Sequence, residues 1–507
     1  MVEEMKLLIS QGHLLDPATG RDGTCDILIE DGRISRIKKS LSVRKAQVLP
    51  ARGLLVFPGL IDLHCHLREP GREDEETIES GAAAAVAGGF TTICCMPNTE
   101  PPLDNKVAIR FVKDRARQAA CRVLPIGCLS VRREGTLLAP YGEMAAEGAV
   151  AFSDDGSCVM DSLLMRRALE YTLLHQRPVI SHAEDFSLAR NGVMNEGALS
   201  VKLGLPGIPR QAEEIMVARD VALSALTGGR LHLAHLTTQE AVEIVRAAKK
   251  RRLPVTAEVT VHHLTLTEEA VLGYNTQAKV SPPLRTRRDV EVLVKALKDG
   301  TIDCLVTDHA PHSDEEKETG FENAPSGMIG LETALPLAWR LTLKDVKPME
   351  VIAAFTTRPA GGAGSRVTLA RTTSPGSQVA CACVMPVIVA ACGVSTRNGA
   401  PHHSATPPAS RTVTSTKLIP SGRSVSGSFS GTRPSRTGSV CVGYLSSGSP
   451  QRSSRQWRKV TSTVAPGGAP VIRSAGAVPG AASTRTPLSP RAAHCSARAI
   501  SASQYSQ

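Results

Sequence analysis

Between residues 53 and 312, short apolar runs alternate with longer amphipathic stretches. The apolar runs are Leu54–Leu63, Thr91–Met96, Arg122–Leu129, Ala149–Phe152, Pro178–Ser181, Arg230–Ala234, Pro254–Val259 and Asp303–Val306. Their length and bounding residues predict buried strands. The stretches between them, such as Glu75–Ala87, Asp161–His175, Ala212–Leu226, Gln239–Arg251 and Arg288–Lys298, read as helices. Strand alternating with helix predicts parallel strands joined by crossover helices, an α/β fold. Eight such units in about 260 residues have the size of a (β/α)8 TIM-type barrel, whose chemistry gathers at the C-terminal ends of the strands. Ahead of them, Lys6–Ser10, Cys25–Glu30, Ile34–Lys38 and Gln47–Leu54 read as short strands separated by turns.

Charge divides the chain more sharply than hydropathy does. Residues 361–507 contain no Asp or Glu but 14 Arg and 2 Lys, whereas the first 360 residues hold all 48 acids and 43 bases. The net charge of +11 therefore sums a mildly acidic body (−5) and a basic tail (+16). Tail stretches such as Ser424–Gly431 follow neither strand nor helix periodicity. Three origins compete: a nucleic-acid-binding arm, a plain flexible extension, and out-of-frame translation of a GC-rich gene. The abrupt change after Thr357-Arg358-Pro359-Ala360 and the complete loss of acids favour the frameshift. Scattered Arg and scarce aromatics speak against nucleic-acid binding. The expected organisation is an N-terminal β part over 1–53, a barrel over 54–360 and a disordered low-complexity basic tail over 361–507.

Other features narrow the class. The charged start Met1–Lys6 offers no secretory leader pattern, and no apolar run reaches the length of a membrane span. Thirteen cysteines show no disulfide-type spacing, so a reducing, cytoplasmic setting is expected.

The candidate chemistry starts at His64-Cys65-His66, at the end of the first barrel run. Alternation along a strand puts His64 and His66 on one side and Cys65 on the other, and two converging imidazoles suit a zinc-like ion. Arg68 continues the alternation and places a cation beside that ion, an arrangement suited to an anionic substrate with a carbonyl to polarise. Other strand ends repeat the theme: Pro97-Asn98-Thr99, Ser153-Asp154-Asp155-Gly156, His182-Ala183-Glu184-Asp185, His235-Leu236-Thr237-Thr238, His262-His263, and Asp308-His309-Ala310-Pro311-His312. Any one of these could be a satisfied polar strand end, but together they point to a metal site.

Asp62-Leu63-His64-Cys65-His66-Leu67-Arg68-Glu69-Pro70-Gly71, with Met96-Pro97-Asn98-Thr99 and Thr307-Asp308-His309-Ala310-Pro311-His312, closely resembles dihydroorotase of the amidohydrolase superfamily. Thr256-Ala257-Glu258-Val259, Pro282-Pro283-Leu284-Arg285 and Gly330-Leu331-Glu332-Thr333-Ala334 look like the same family. The resemblance covers residues 5 to 360.

The resemblance implies one or two Zn2+ per subunit. His64, His66 and Asp308 would hold one ion, His182 and His235 the other, and Asp155 would bridge them; Asp154 stays open as the alternative bridge. Hydantoinases, dihydropyrimidinases, allantoinases and shorter dihydroorotases are built around a carboxylated lysine. This chain has no Lys between Lys113 and Lys202, so a carboxylate bridge resembles the class I dihydroorotases. The implied reaction is reversible hydrolysis of (S)-dihydroorotate to N-carbamoyl-L-aspartate in de novo pyrimidine synthesis. Asp308 would take a proton from the nucleophile and deliver it to the leaving ring nitrogen. Arg68, Asn98 and His312 would contact the substrate carboxylate, His66 would adjoin the substrate, and Ser326 and Gly327 would contact the ring from a mobile loop over 313–327. Ser281 stands where relatives often carry Asn, so its contact reaches less far. His263 and His309 are expected to shape the site through hydrogen bonds, and Cys65, Cys94 and Cys95 to pack in the core. Relatives pair the N-terminal strands with strands that follow the barrel into a small β-sandwich, and that C-terminal half is expected to be missing here. The implied partners are the small-molecule substrate and either a second copy of the chain or aspartate transcarbamoylase, with no membrane. The competing functions are another cyclic amidohydrolase, of hydantoinase or allantoinase type, and a catalytically impaired scaffold subunit.

Overall fold

The computed structural model describes residues 6–361 other than Asp345, together with the backbone of Val387–Ala390. β1 (Lys6–Asp16), β2 (Arg21–Glu30) and β3 (Arg33–Lys38) form an antiparallel meander, and β4 (Gln47–Pro50) and β5 (Leu55–Pro58) both run parallel to β1. Asp31 and Gly32 join β2 to β3 with φ of 50° and 72°, the left-handed pair that a tight two-residue hairpin requires. β1 shifts register between Ile9 and Gly12. It pairs with β4 over Leu7–Ser10 and with β5 at His13–Leu14. A Cβ on Gly12 would stand 2.4 Å from Val56 Cγ2, so the strands approach there only through glycine.

The barrel follows. β6 (Leu60–Cys65), β7 (Phe90–Cys95) and β8 (Arg122–Pro125) form one parallel sheet. β9 (Phe152–Ser153) and β10 (Val179–Ser181) belong to a second; β11 (Met194–Asn195) and β12 (Gly207–Ile208) make a separate small ladder. β13 (Leu231–Leu233), β14 (Val255–Thr260) and β15 (Cys304–Val306) complete the second sheet in the order β15-β14-β13-β10-β9. Single parallel bridges join the two sheets at both seams, Gly127 to Phe152 and Cys65 to His309. Eight parallel strands thus follow one another around a ring in chain order.

Ile61, Leu63, Cys94, Met96, Ile126, Val150, Ile180, Ala234, Cys304 and Val306 fill the inside of the ring. Leu60, Phe90, Ile93, Cys95 and Val123 face the surrounding helices. Burial on both faces is why these strands read as continuous apolar runs and not as alternating ones. Leu15 and Phe57 join the same outer core, so the N-terminal sheet packs on the barrel. Among the described residues no helix is long and apolar enough to cross a membrane.

Several expectations are corrected. The run Leu54–Leu63 is two strands in two sheets, broken at Gly59, where a Cβ would stand 2.3 Å from Thr91 Oγ1. The helix expected from Glu75 begins at Ile78, because the Thr77 side chain caps it by accepting from Ser80 N, as N-cap hydroxyls do. That leaves Glu75 and Glu76 free of the helix. His262 and His263 lie in a short helical turn, Val261–Thr265, beyond the end of β14. From the tail, Val387–Ala390 pairs antiparallel with β5, so the N-terminal sheet does receive a strand from the segment expected to supply none. The rest of the expected disordered tail, and the question of its reading frame, lie outside the described residues.

Phe355 meets Phe90 edge-on at 5.6 Å between ring centroids, and both are buried. Phe355→Ala is expected to destabilise the fold by about 3–5 kcal/mol, read as a lowered denaturant midpoint. Burial pushes the Cys95 thiol up to about 12, so it is protonated at pH 8 and a poor nucleophile. Its peptide is expected to escape iodoacetamide at pH 8 in the folded protein and to be labelled in denaturant, as read by mass spectrometry.

Candidate metal centre

The seam between β6 and β15 brings the first histidines to the last aspartate. Asp308 N donates to His64 O (2.9 Å) and His66 N to His309 O (2.8 Å). Below them Asp62 accepts from Thr307 N (3.0 Å) and Thr307 Oγ1 (2.5 Å). Asp62 is fully buried, and that burial pushes its pKa up to about 7 against the hydrogen bonds from Thr307.

Above this lock, ligand-type atoms converge. Asp308 Oδ1 lies 2.9 Å from His66 Nε2 and 3.4 Å from His64 Nε2. Asp155 Oδ1 lies 3.3 Å from His64 Nε2, 3.6 Å from His235 Nε2 and 3.7 Å from His182 Nδ1, and its Oδ2 is 3.6 Å from His66 Nε2. His182 Nδ1 and His235 Nε2 are 2.9 Å apart. The structure therefore brings together His64, His66, Asp155, His182, His235 and Asp308, all buried. Asp154 is turned elsewhere: it accepts from Leu129 N (2.8 Å) and from the Ser130 backbone and hydroxyl. His235 and Asp308 hold left-handed backbone, φ 28° and 46°, a conformation that costs energy in a non-glycine residue and gathers at functional sites.

Two subsets of these atoms, His64/His66/Asp308 and His64/Asp155/His235, are each compact enough to hold a metal ion. The fit can be tested on the atoms themselves. His64 Nε2 and Asp155 Oδ1, both facing the centre, are buried without a hydrogen-bond partner, a state costing about 1–3 kcal/mol per group when nothing satisfies it. Imidazole nitrogens and carboxylate oxygens are a donor set suited to a zinc-like ion. Burial opposes charge on Asp155, but the facing His64 and His66 imidazoles outweigh it and hold the carboxyl well below its usual range. The same opposition, with His64 the main counterweight to burial, lowers Asp308.

A surrounding layer fixes which nitrogen each imidazole presents. Glu258, in β14, takes His64 Nδ1 at 2.7 Å and His232 Nε2 at 2.9 Å. It is fully buried, yet His64 and His232 pull its pKa down to about 2. His64 therefore turns Nε2 toward the centre. Asn98 Oδ1 is 2.8 Å from His66 Nδ1 and does the same for that ring. His309 Nδ1 accepts from Gly330 N and its Nε2 lies 3.0 Å from Glu76 Oε2, while His263 sits between Thr260 Oγ1 and Pro282 O, so both brace loops around the site.

Of the residues expected at the substrate, Arg68 and His312 adjoin, with Arg68 NH2 3.2 Å from His312 Nε2. Ser326 O is 2.9 Å from the same nitrogen. Gly327 has φ 147°, and a Cβ there would meet Ala310 O at 2.6 Å. Ser281 and Ser326 line a cavity of about 280 Å³, whose wall continues through Glu184 and Phe186 to Val193. The loop carrying Ser326 is tied down from within. Lys317 Nζ donates to Pro325 O (2.8 Å), Gly327 O (2.6 Å) and Thr276 O (3.2 Å), and Lys279 Nζ to Phe321 O (2.8 Å) and Glu322 O (2.9 Å).

Sequence reading missed Glu258, His232 and Glu75 as site residues. Glu258 left one usable signal, a lone acid within the otherwise uncharged strand run Pro254–Val259.

The protein-family model described as dihydro-orotase-like matches residues 53–241. A dihydroorotase of Acetivibrio thermocellus is 52% identical over 333 residues, 66% of this chain and 78% of that protein. A dihydroorotase of Pelotomaculum thermopropionicum is 50% identical over 358 residues, 70% of this chain and 84% of that protein. Among solved structures, the L-hydantoinase (dihydropyrimidinase) of Arthrobacter aurescens superposes with a TM-score of 0.62 at 23% identity, covering 70% of this chain and 81% of its own. That likeness is one of fold.

Glu258→Gln is expected to weaken divalent-metal retention about 10–100-fold, the usual cost of losing a carboxylate behind a ligating histidine. Competition with a chromophoric chelator measures it.

Proposed function

Because the chain belongs to the dihydroorotase family, we propose that it hydrolyses (S)-dihydroorotate reversibly to N-carbamoyl-L-aspartate, a step of de novo pyrimidine synthesis. The observation that carries this reading is the meeting of six ligand-type side chains, Asp155 among them, from five barrel strand ends, with an arginine–histidine pair, Arg68 and His312, beside them.

His64, His66 and Asp308 would hold one zinc ion, His182 and His235 a second, and Asp155 both. Bound there, zinc would supply Lewis acidity toward water and toward the scissile carbonyl oxygen. The rest of the chemistry falls to the chain's own groups. Asp308 takes the proton of the attacking water on a carboxylate oxygen and returns it to the ring nitrogen as the amide bond breaks. Its position suits this, because the bond to His64 O and the Asp62–Thr307 lock below fix its backbone. Arg68 presents a planar fork to the substrate carboxylate, with Asn98 and His312 as further contacts. The acidic body of the protein repels that anion at long range, so capture depends on these local donors. Ser281, Ser326 and Gly327 close on the ring from the two loops that the Lys279 and Lys317 ammoniums tie together.

Asp308→Asn is expected to lower kcat for dihydroorotate about 10²–10⁴-fold with the fold intact by circular dichroism. Prolonged chelation is expected to abolish the wild-type activity, and added Zn2+ to restore it. Faster turnover of hydantoin or allantoin than of dihydroorotate by the zinc-loaded protein would replace this reading with that of another cyclic amidohydrolase.

A further inference from the structure

Glu75 lies in the turn before the helix that Thr77 caps, with Glu75 N donating to Arg72 O (3.0 Å). Its carboxylate is almost wholly buried, 1% exposed. Each of its oxygens holds a group from a different part of the chain. Oε2 lies 3.1 Å from Arg68 Nε. Oε1 lies 2.7 Å from His312 Nδ1 and 3.0 Å from Arg72 NH2.

Holding Arg68 by Nε has a geometric consequence. A guanidinium is flat, so fixing the Nε side leaves the terminal NH1–NH2 edge as its free fork. The Nε hydrogen itself goes to Pro311 O at 3.1 Å, while Glu75 supplies the counter-charge on the same edge. Holding His312 by Nδ1 leaves the Nε2 lone pair to accept from Arg68 NH2 at 3.2 Å, beside Ser326 O at 2.9 Å. One buried carboxylate thus holds the guanidinium directly and braces its NH2 through the His312 ring. Burying a carboxylate is costly unless it is paired; Arg68, Arg72 and His312 surround it, while burial and the neighbouring Glu316 carboxyl push its pKa up to about 7, so the charge is complete only in mildly alkaline assay buffer. Arg72 continues to Glu316 Oε1 at 2.6 Å, which joins this cluster to the loop that carries Ser326.

We propose that Glu75 is a positioning residue for carboxylate recognition, holding Arg68 directly and through His312 so that the Arg68 terminal fork faces the substrate's carboxylate. The inference rests on the reading of Arg68 as a carboxylate contact. Glu75 itself does not touch the substrate.

The test uses the full-length zinc-loaded protein and two inhibitors: orotate, the planar analogue of dihydroorotate, and its uncharged carboxamide. Glu75→Gln keeps size and removes the charge that pairs Arg68 and His312. It is expected to raise the orotate Ki and the dihydroorotate KM at least tenfold, to leave kcat within about threefold, and to leave the carboxamide Ki unchanged. Glu75→Asp, whose shorter carboxylate keeps the charge, is expected to fall between wild type and Glu75→Gln, and serves alone if the glutamine variant does not fold. An equal loss for both inhibitors, or a fall in kcat with the orotate Ki unchanged, overturns the proposal. Arg68→Met is measured alongside. If it selectively weakens orotate while the Glu75 variants do not, the positioning role falls and the carboxylate reading of Arg68 stands. If Arg68→Met shows no such selectivity, that reading fails and takes this proposal with it.

Discussion

Two backbone hydrogen bonds at the β6–β15 seam, Asp308 N to His64 O and His66 N to His309 O, are the contacts on which the centre depends. They join residues more than 240 positions apart in the chain. Without them His64 and His66 would face water from one sheet and Asp308 from another. The seam carries one bridge and no extended ladder, so the Asp62–Thr307 pair beneath it supplies the remaining constraint. Burial disfavours the charged form of Asp62 and pushes its pKa up to about 7. Both its oxygens hold the last strand to the first.

The centre above that seam leaves buried ligand-type atoms without hydrogen-bond partners. Imidazole lone pairs and two carboxylates face one another there. A cation between them would relieve this, while the surrounding layer sets the direction from which each donor approaches. Glu258 and Asn98 hold the Nδ1 sides of His64 and His66. Glu75 holds Arg68 and His312. In each case a group behind a side chain determines which of that side chain's faces is available.

The N-terminal sheet and the barrel share the outer core through Leu15 and Phe57, so the two parts support each other. The strand Val387–Ala390 on β5 shows that residues past 361 can enter that sheet at the level of backbone pairing. Sequence composition argued against this, because an acid-free, low-complexity segment carries no strand periodicity over useful lengths. The four residues Val-Ile-Val-Ala are a local exception: a short apolar run suffices to pair with an open strand edge.

What the sequence determined by itself was everything with a local cause. Apolar runs alternating with amphipathic ones gave the eight-stranded barrel and most helix bounds to within a residue or two. His64-Cys65-His66 and the recurring His and Asp at strand ends marked the side chains that converge, and the lysine-free stretch between Lys113 and Lys202 left strand four only a carboxylate to offer. The tertiary structure alone decided that Asp155 and not Asp154 faces the imidazoles, that Glu258 stands behind His64, and that Glu75, released from its helix by the Thr77 cap, grips Arg68 and His312. Periodicity is set by each residue's neighbours along the chain. The direction of a side chain at a strand end depends instead on strand closure, on left-handed backbone at Arg68, His235 and Asp308, and on hydrogen-bond partners hundreds of residues away.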